Sequence, residues 1–211
     1  YSKNIVLLNS NLGGVDILQY PVARVKGCAL TGKRGPSVPT AISGRLPLFE
    51  SWLKHRDINN YFCNKIFRRK LFDTISFRED MFYEDRYLMC DILNCCRSVM
   101  LSDKGLYYYT YTEGQITSRP DSPDILRSKL LADLHIVEYI KDMPELTYEY
   151  FERYNNGLEY YRRLKTDFHE IDHHLRKILL VNIPSISRTL SSNIPMGIKF
   201  RIGRLHLLQS I

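Results

Sequence analysis

From Leu146 to Ile178 an apolar or aromatic side chain returns every three or four positions: Leu146, Tyr150, Tyr154, Leu158, Tyr161, Leu164, Phe168, Ile171, Leu175 and Ile178. That is the period of a helix face, not of a strand whose sides alternate. Pro144-Glu145 opens the region, and the pattern predicts helix nearly to Pro184, with a break or kink at Asn155-Asn156-Gly157. Upstream, Ser122-Pro123-Asp124 joins a capping hydroxyl, a proline at the first helical position and an acid at the second. Leu126, Leu130, Leu134 and Val137 give the helix that follows its apolar stripe. Residues 185–197, rich in serine and carrying Pro195, read as loop before a last basic helix from Ile198.

The first 120 residues follow a different pattern. Ile5-Val6-Leu7-Leu8 reads as a buried strand, Gly13-Gly14 as a turn, and Val15 to Tyr20 as a second strand. Val25 to Val38 mixes a strand with a loop containing Gly32, Gly35 and Pro36, and its Lys33-Arg34 pair reads as a solvated turn or a phosphate contact. Pro47 starts a short helix whose face holds Leu48, Phe49, Trp52 and Leu53. Tyr61 to Phe67 reads as strand and Arg68 to Phe72 turns into helix. Met100-Leu101 and Leu106 to Tyr111 form strands around an Asp103-Lys104-Gly105 turn. The sum is an α/β chain: a strand-rich part over 1–120, then a helical part over 121–211.

Composition removes several classes. Hydrophobic residues make up 44 % of the 211, enough for a packed core and too many for wholesale disorder. No apolar run approaches the ~18–20 residues of a membrane span, and the first residues lack the basic and cleavage regions of a signal peptide. The chain opens on Tyr1 rather than Met, as expected of a piece of something longer. Five scattered cysteines, with Cys95-Cys96 adjacent, read as buried free thiols rather than a zinc or disulfide framework. The net charge of +7 is uneven: residues 121–174 carry twelve acids against seven bases, whereas 175–211 carry six bases and no acid. Basic and apolar residues at helical spacing in that tail suit either an anionic membrane surface, through Lys199, Arg201 and Arg204, or an acidic neighbour within the chain. No recognition motif accompanies the charge, so nucleic acid is not an expected partner.

His169-Glu170-Ile171-Asp172-His173 matches H-E-x-x-H, which on a helix sets two imidazoles on one face for zinc. No acid follows Asp172, and the longer form fails at Arg176 and Leu179. The expectation is therefore a solvated helix face at His169 and His173, not zinc.

Tyr83-Glu84-Asp85 precedes an apolar run (Tyr87, Leu88, Ile92, Leu93, Cys96) at helical spacing, which places both carboxylates in a first turn. The helix dipole there favours the ionised form that a general base needs. Taken with Phe62-Cys63-Asn64-Lys65-Ile66-Phe67-Arg68-Arg69, Phe77, Leu106 to Tyr111 and Gly114-Gln115-Ile116-Thr117, the pair resembles the second half of bacterial family 2 glycosyltransferases over about residues 1–140. Gln115 stands where that family usually has Ser.

The resemblance implies the C-terminal, acceptor-side part of a GT-A-like mixed sheet with flanking helices over 1–120, followed by a helical extension with a basic tail over 121–211. It implies an inverting transfer from a nucleotide-sugar donor to a saccharide or lipid-linked acceptor in surface polysaccharide synthesis, at the inner face of the cytoplasmic membrane. Asp85 would be the base and Glu84 its neighbour orienting the loop or acceptor. Asn64, Lys65 and Arg68 would wall the cleft, with Tyr109 and Thr117 contacting substrate. A divalent Mg or Mn ion is expected for the whole enzyme, with ligands outside this chain, because no Asp-x-Asp occurs here. The alternative is a non-catalytic module that binds a membrane or partner through its C-terminal helices.

Overall fold

The computed structural model describes residues 14–27, 29–111 and 119–209, with side chains as far as Leu207 in the last segment. The expected strand Ile5–Leu8, and the Gly114-Gln115-Ile116-Thr117 turn with Thr117, lie outside them. The architecture is mixed α/β, two small mixed sheets with helices and then a largely helical C-terminal region. Two compact units divide the chain: residues 1–77 with 88–120, and residues 78–87 with 121–211.

In the first unit, strand β1 (Ile17–Gln19) runs through Tyr20-Pro21 into β2 (Val22–Lys26). Proline has no amide hydrogen to give a ladder, and the chain changes sheets there. The remaining strands are β3 (Ala29–Arg34), β4 (Thr40–Ser43), β5 (Lys65–Phe67), β6 (Ser98–Leu101) and β7 (Tyr107–Thr110). One sheet has the order β4-β6-β1-β5 and the other β3-β2-β7. Both are built on a parallel pair, β1 with β6 and β2 with β7. Amides of Ser102 and Tyr107 donate to the carbonyls of Gln19 (2.8 Å) and Pro21 (2.9 Å), carrying the pairing across the bend. Gly35 lies against Pro21: a Cβ at that position would stand 2.7 Å from the proline ring, so only glycine lets the hairpin close over the bend.

Helix α1 (Arg45–Leu53) buries Leu48, Phe49, Trp52 and Leu53, the expected face, and begins two residues before Pro47. Residues 69–72 form a single 3₁₀ turn, and the Tyr61–Phe67 strand shrinks to β5. The loop of 59–64 takes the rest because its polar groups are bonded to side chains rather than to a ladder. Strand β4 was not foreseen; Thr40–Ser43 is mostly exposed and lacks apolar alternation. Helix α2 (Glu84–Cys95) has both carboxylates in its first turn, as the spacing predicts. Cys90 and Cys96 are buried, and burial pushes the Cys96 thiol up to about 12, whereas Cys63 and Cys95 are exposed, contrary to the expectation of uniformly buried thiols.

Asp16, immediately before β1, stitches the first sheet. Its carboxylate accepts from the Arg97 amide (2.8 Å) and pairs with Arg68 Nε (2.9 Å), while its backbone carbonyl accepts from the Arg68 amide (2.8 Å). Burial works to raise its pKa, but hydrogen bonds from Arg97 and the charges of Arg97 and Arg68 leave it lowered.

The second unit contains α3 (Pro123–Ile140), α4 (Thr147–Asp167), α5 (His173–Val181), α6 (Ile186–Ser191) and α7 (Met196–Gln209). Ser122 Oγ caps α3 by accepting from the Ile125 amide at 3.3 Å. Two expectations are corrected here. Helix α4 runs unbroken through Asn155-Asn156-Gly157, because Gly157 is where Leu134 and Leu179 pack closest, 3.4 and 3.5 Å from a built Cβ. The break falls instead at residues 168–172, where Asp172 caps α5 by accepting from the Leu175 amide (3.0 Å). Residues 186–191, expected as loop, form α6 because Ser185 Oγ caps it at the Arg188 amide. Among the described residues no helix is long and apolar enough to cross a membrane.

Because the folded-state pKa of Asp16 lies below the ordinary aspartate value of 3.8, its pairs stabilise the fold above that value. That contribution is lost as pH falls through and below it. Asp16→Asn is expected to cost about 1–3 kcal/mol at pH 7 and to shrink the drop in melting temperature between pH 7 and pH 3. Thermal melts of the two proteins at both pH values measure this; an equal drop in both removes Asp16 from the acid response.

Candidate functional site

The expected catalytic pair opens α2. Tyr83, just before it, has φ 58°, a left-handed conformation that costs a non-glycine residue roughly 1–2 kcal/mol. Its carbonyl accepts from the Arg86 (3.1 Å) and Tyr87 (3.3 Å) amides, and Lys129 Nζ sits 5.4 Å from its ring centroid. Glu84 and Asp85 follow, both half-buried, and Asp85 Oδ1 accepts from the Arg86 amide at 2.7 Å.

Two contacts hold this turn in the helical unit. Arg86 forms an ion pair with Asp133 of α3, and the Tyr87 ring stacks on His135 with centroids 3.8 Å apart. Asp133 is fully buried and also faces Arg153 of α4 at 3.5 Å. Burial raises the Asp133 pKa, opposed by the two guanidinium charges; burial and the charge of Arg86 lower that of Arg153. Sequence reasoning missed Asp133, although a signal was present. It falls three residues after Leu130 and four before Val137, inside the apolar stripe, where a carboxylate needs buried partners.

A groove of about 380 Å³ is lined by residues 78–82 together with Asp124, Arg127, Ser128 and Leu131. Phe82 donates its amide to Ser128 Oγ (3.0 Å), fixing one wall. The lining reaches Phe82, three residues before Asp85.

In the sheet unit, two of the residues expected to wall a cleft, Asn64 and Lys65, are buried, whereas the third, Arg68, is exposed. Asn64 is buried and its amide donates to the Tyr20 carbonyl at 2.7 Å. Lys65, also buried, donates from Nζ to the carbonyls of Asn59 (2.8 Å) and Tyr61 (2.5 Å) and to Asn59 Oδ1 (2.6 Å). Gln19 grips the same loop, donating to the Asp57 carbonyl and accepting from the Asn59 amide. Arg68 is spent on Asp16 and the Val15 carbonyl. Phe62, Phe67, Phe72 and Phe77, the rings of the motif, pack on one another with centroids 4.9–6.3 Å apart.

Tyr109 is half-exposed on β7 and stacks on Tyr61, centroids 5.8 Å apart at 24°. Arg24, its β2 neighbour in register, donates from Nη2 to Tyr61 Oη at 3.1 Å. Sequence reading passed over Tyr61 and Arg24.

Of the tail cations, Lys199 donates to the Leu190 carbonyl (2.8 Å), Arg201 to Asn155 Oδ1 (3.0 Å), and Arg204 is exposed. His169 and His173 do not share a helix. His169 has φ 57° in the turn between α4 and α5, Glu170 pairs with Arg127, and Asp172 is the α5 cap. Among the described residues no three His, Cys, Asp or Glu side chains converge to hold a metal ion. Neither the protein-family models nor the curated proteins contain a match to this chain.

Removing the Lys65 ammonium takes the donor from both Asn59 oxygens, the Tyr61 carbonyl and Asn64 Oδ1. Lys65→Met is expected to cost about 2–4 kcal/mol, and Lys65→Arg to recover little of it, because a planar fork cannot occupy the site of a compact ammonium. Chemical denaturation measures both. A cost below ~0.5 kcal/mol for Lys65→Met would show that the brace is dispensable.

Proposed function

We propose that the chain is the acceptor-side part of an inverting glycosyltransferase, moving a sugar from a nucleotide-sugar donor to a saccharide or lipid-linked acceptor in surface polysaccharide synthesis. The observation that carries this reading is the Tyr83-Glu84-Asp85 turn. A left-handed residue delivers two carboxylates to a helix N-terminus, and Arg86 pins that first turn to a buried aspartate of the same unit. Such strain persists where the surrounding structure enforces it, as at a site that must aim a side chain.

In the proposed step, Asp85 accepts the proton of an acceptor hydroxyl as its oxygen attacks the anomeric carbon. The bond from that carbon to the donor diphosphate breaks on the opposite face, and the nucleoside diphosphate leaves with the electron pair. Glu84 holds the acceptor or the loop. The described residues offer no ligand set for the Mg or Mn ion expected on the donor diphosphate, so no step of this chain is assigned to it. In the full-length enzyme, Asp85→Asn is expected to lower turnover by ~10²–10⁴-fold while donor affinity changes little. Turnover within a few-fold of wild type would exclude Asp85 as the base.

A second reading draws on the C-terminal helices. Ile186, Leu190, Met196, Phe200 and Leu207 are more than half exposed, in a segment whose charges are all basic. That chemistry suits an anionic membrane surface, for a peripheral enzyme or for a non-catalytic module alike. Lys199→Glu/Arg201→Glu/Arg204→Glu is expected to weaken co-sedimentation with phosphatidylserine vesicles by tenfold or more, at roughly 1 kcal/mol per cation. Unchanged co-sedimentation would exclude the tail as the anchor.

A further inference from the structure

The β2–β3 hairpin borders an open groove of about 260 Å³, lined by Arg24, Lys33, Arg34, Thr31 and Tyr61 over the buried Val22. No carboxylate lines it, and among the described residues none of the three cations has a salt-bridge partner. Arg24 donates to Tyr61 Oη and Arg34 to the Arg56 carbonyl at 2.6 Å, so two of the three are oriented by neutral acceptors that leave their charge uncompensated. Thr31 Oγ1 donates to the Arg24 carbonyl at 3.1 Å, tying the hairpin strands together beside the groove.

Basic residues on an edge strand also discourage pairing with other chains, and β3 is an edge. That role requires nothing of Tyr61. Here, however, the aromatic wall is built with care. Tyr61 stacks on Tyr109 and stands in a loop clamped by Gln19 and Lys65, while Trp52 Nε1 donates to Asn60 Oδ1 at 2.7 Å. Preorganisation of this kind is what a recognition surface needs.

We propose that this groove binds the diphosphate of an organic phosphate ester, with Arg24, Lys33 and Arg34 on the phosphate oxygens and the adjoining ring or sugar against Tyr61. Guanidinium groups match phosphate oxygens in paired hydrogen bonds, and Lys33 adds a point charge. The volume falls just below the ~300–1,000 Å³ of a whole-ligand pocket, which suits a headgroup with the rest of the molecule lying along the exposed sheet. A nucleoside diphosphate and a lipid-linked diphosphate share this chemistry. Both ligand classes also belong to the transferase reading, but the groove itself uses neither Glu84 nor Asp85.

Titration calorimetry of the 211-residue chain with inorganic pyrophosphate, uridine diphosphate and farnesyl diphosphate tests it. All three are expected to bind, and Arg24→Gln/Lys33→Gln/Arg34→Gln to weaken each by tenfold or more. These side chains are exposed, so the variant is expected to keep the wild-type melting temperature within a few degrees. Lys199→Gln/Arg201→Gln/Arg204→Gln removes equal charge elsewhere and is expected to change affinity by less than about twofold. Tyr61→Leu is expected to spare pyrophosphate and weaken one organic diphosphate; the one it weakens more identifies the nucleotide or the lipid as the source. Asp85→Asn is expected to leave all three affinities unchanged, which separates this site from the catalytic proposal. The proposal is overturned by absence of saturable pyrophosphate binding, by an equal loss in the tail variant, or by a Tyr61→Leu protein that binds both organic diphosphates as wild type does.

Discussion

A buried carboxylate gripped by two guanidinium groups organises the helical unit, and most of what is distinctive there depends on it. Asp133 has no contact with solvent, so its charge is tolerable only because Arg86 and Arg153 face it. An apolar trio of equal volume could pack as well, but it would not specify where the first turn of α2 goes. With the pair in place that turn has a fixed position in its unit, and the left-handed Tyr83 before it is held despite its cost. The sheet unit repeats the device in a wetter setting, where Asp16 between Arg68 and Arg97 ties three strands near their ends.

The same economy governs the loop of residues 57–64. A polar loop against the core must satisfy its carbonyls and amides, and Gln19 and Lys65 do so from inside. Side chains that a motif suggests as substrate contacts thus become the scaffold that fixes Tyr61.

Periodicity made the helices legible. Ser122-Pro123-Asp124 marked the start of α3, and the paired carboxylates fell in the first turn of α2. Local signals were less dependable where tertiary packing competed with them. Asn155-Asn156-Gly157 reads as a break, yet Gly157 serves close packing against Leu134 and Leu179, and the true break depends on the Asp172 cap. The H-E-x-x-H pattern carried no information about its helix for the same reason. Partners distant in sequence were not legible at all. Nothing local announces that Lys65 meets the carbonyls of Asn59 and Tyr61, or that Arg68 reaches back to Asp16.

The bend at Tyr20-Pro21 has a consequence for how the sheet unit comes apart. The same two stretches of chain, 17–26 and 98–110, supply the central parallel pair of one sheet and then the parallel pair of the other. Neither sheet can lose its middle without stripping a strand from its neighbour. Amide hydrogens of β1, β2, β6 and β7 should therefore exchange with deuterium in one cooperative opening, while β3, β4 and β5, which can detach without breaking either parallel pair, exchange earlier.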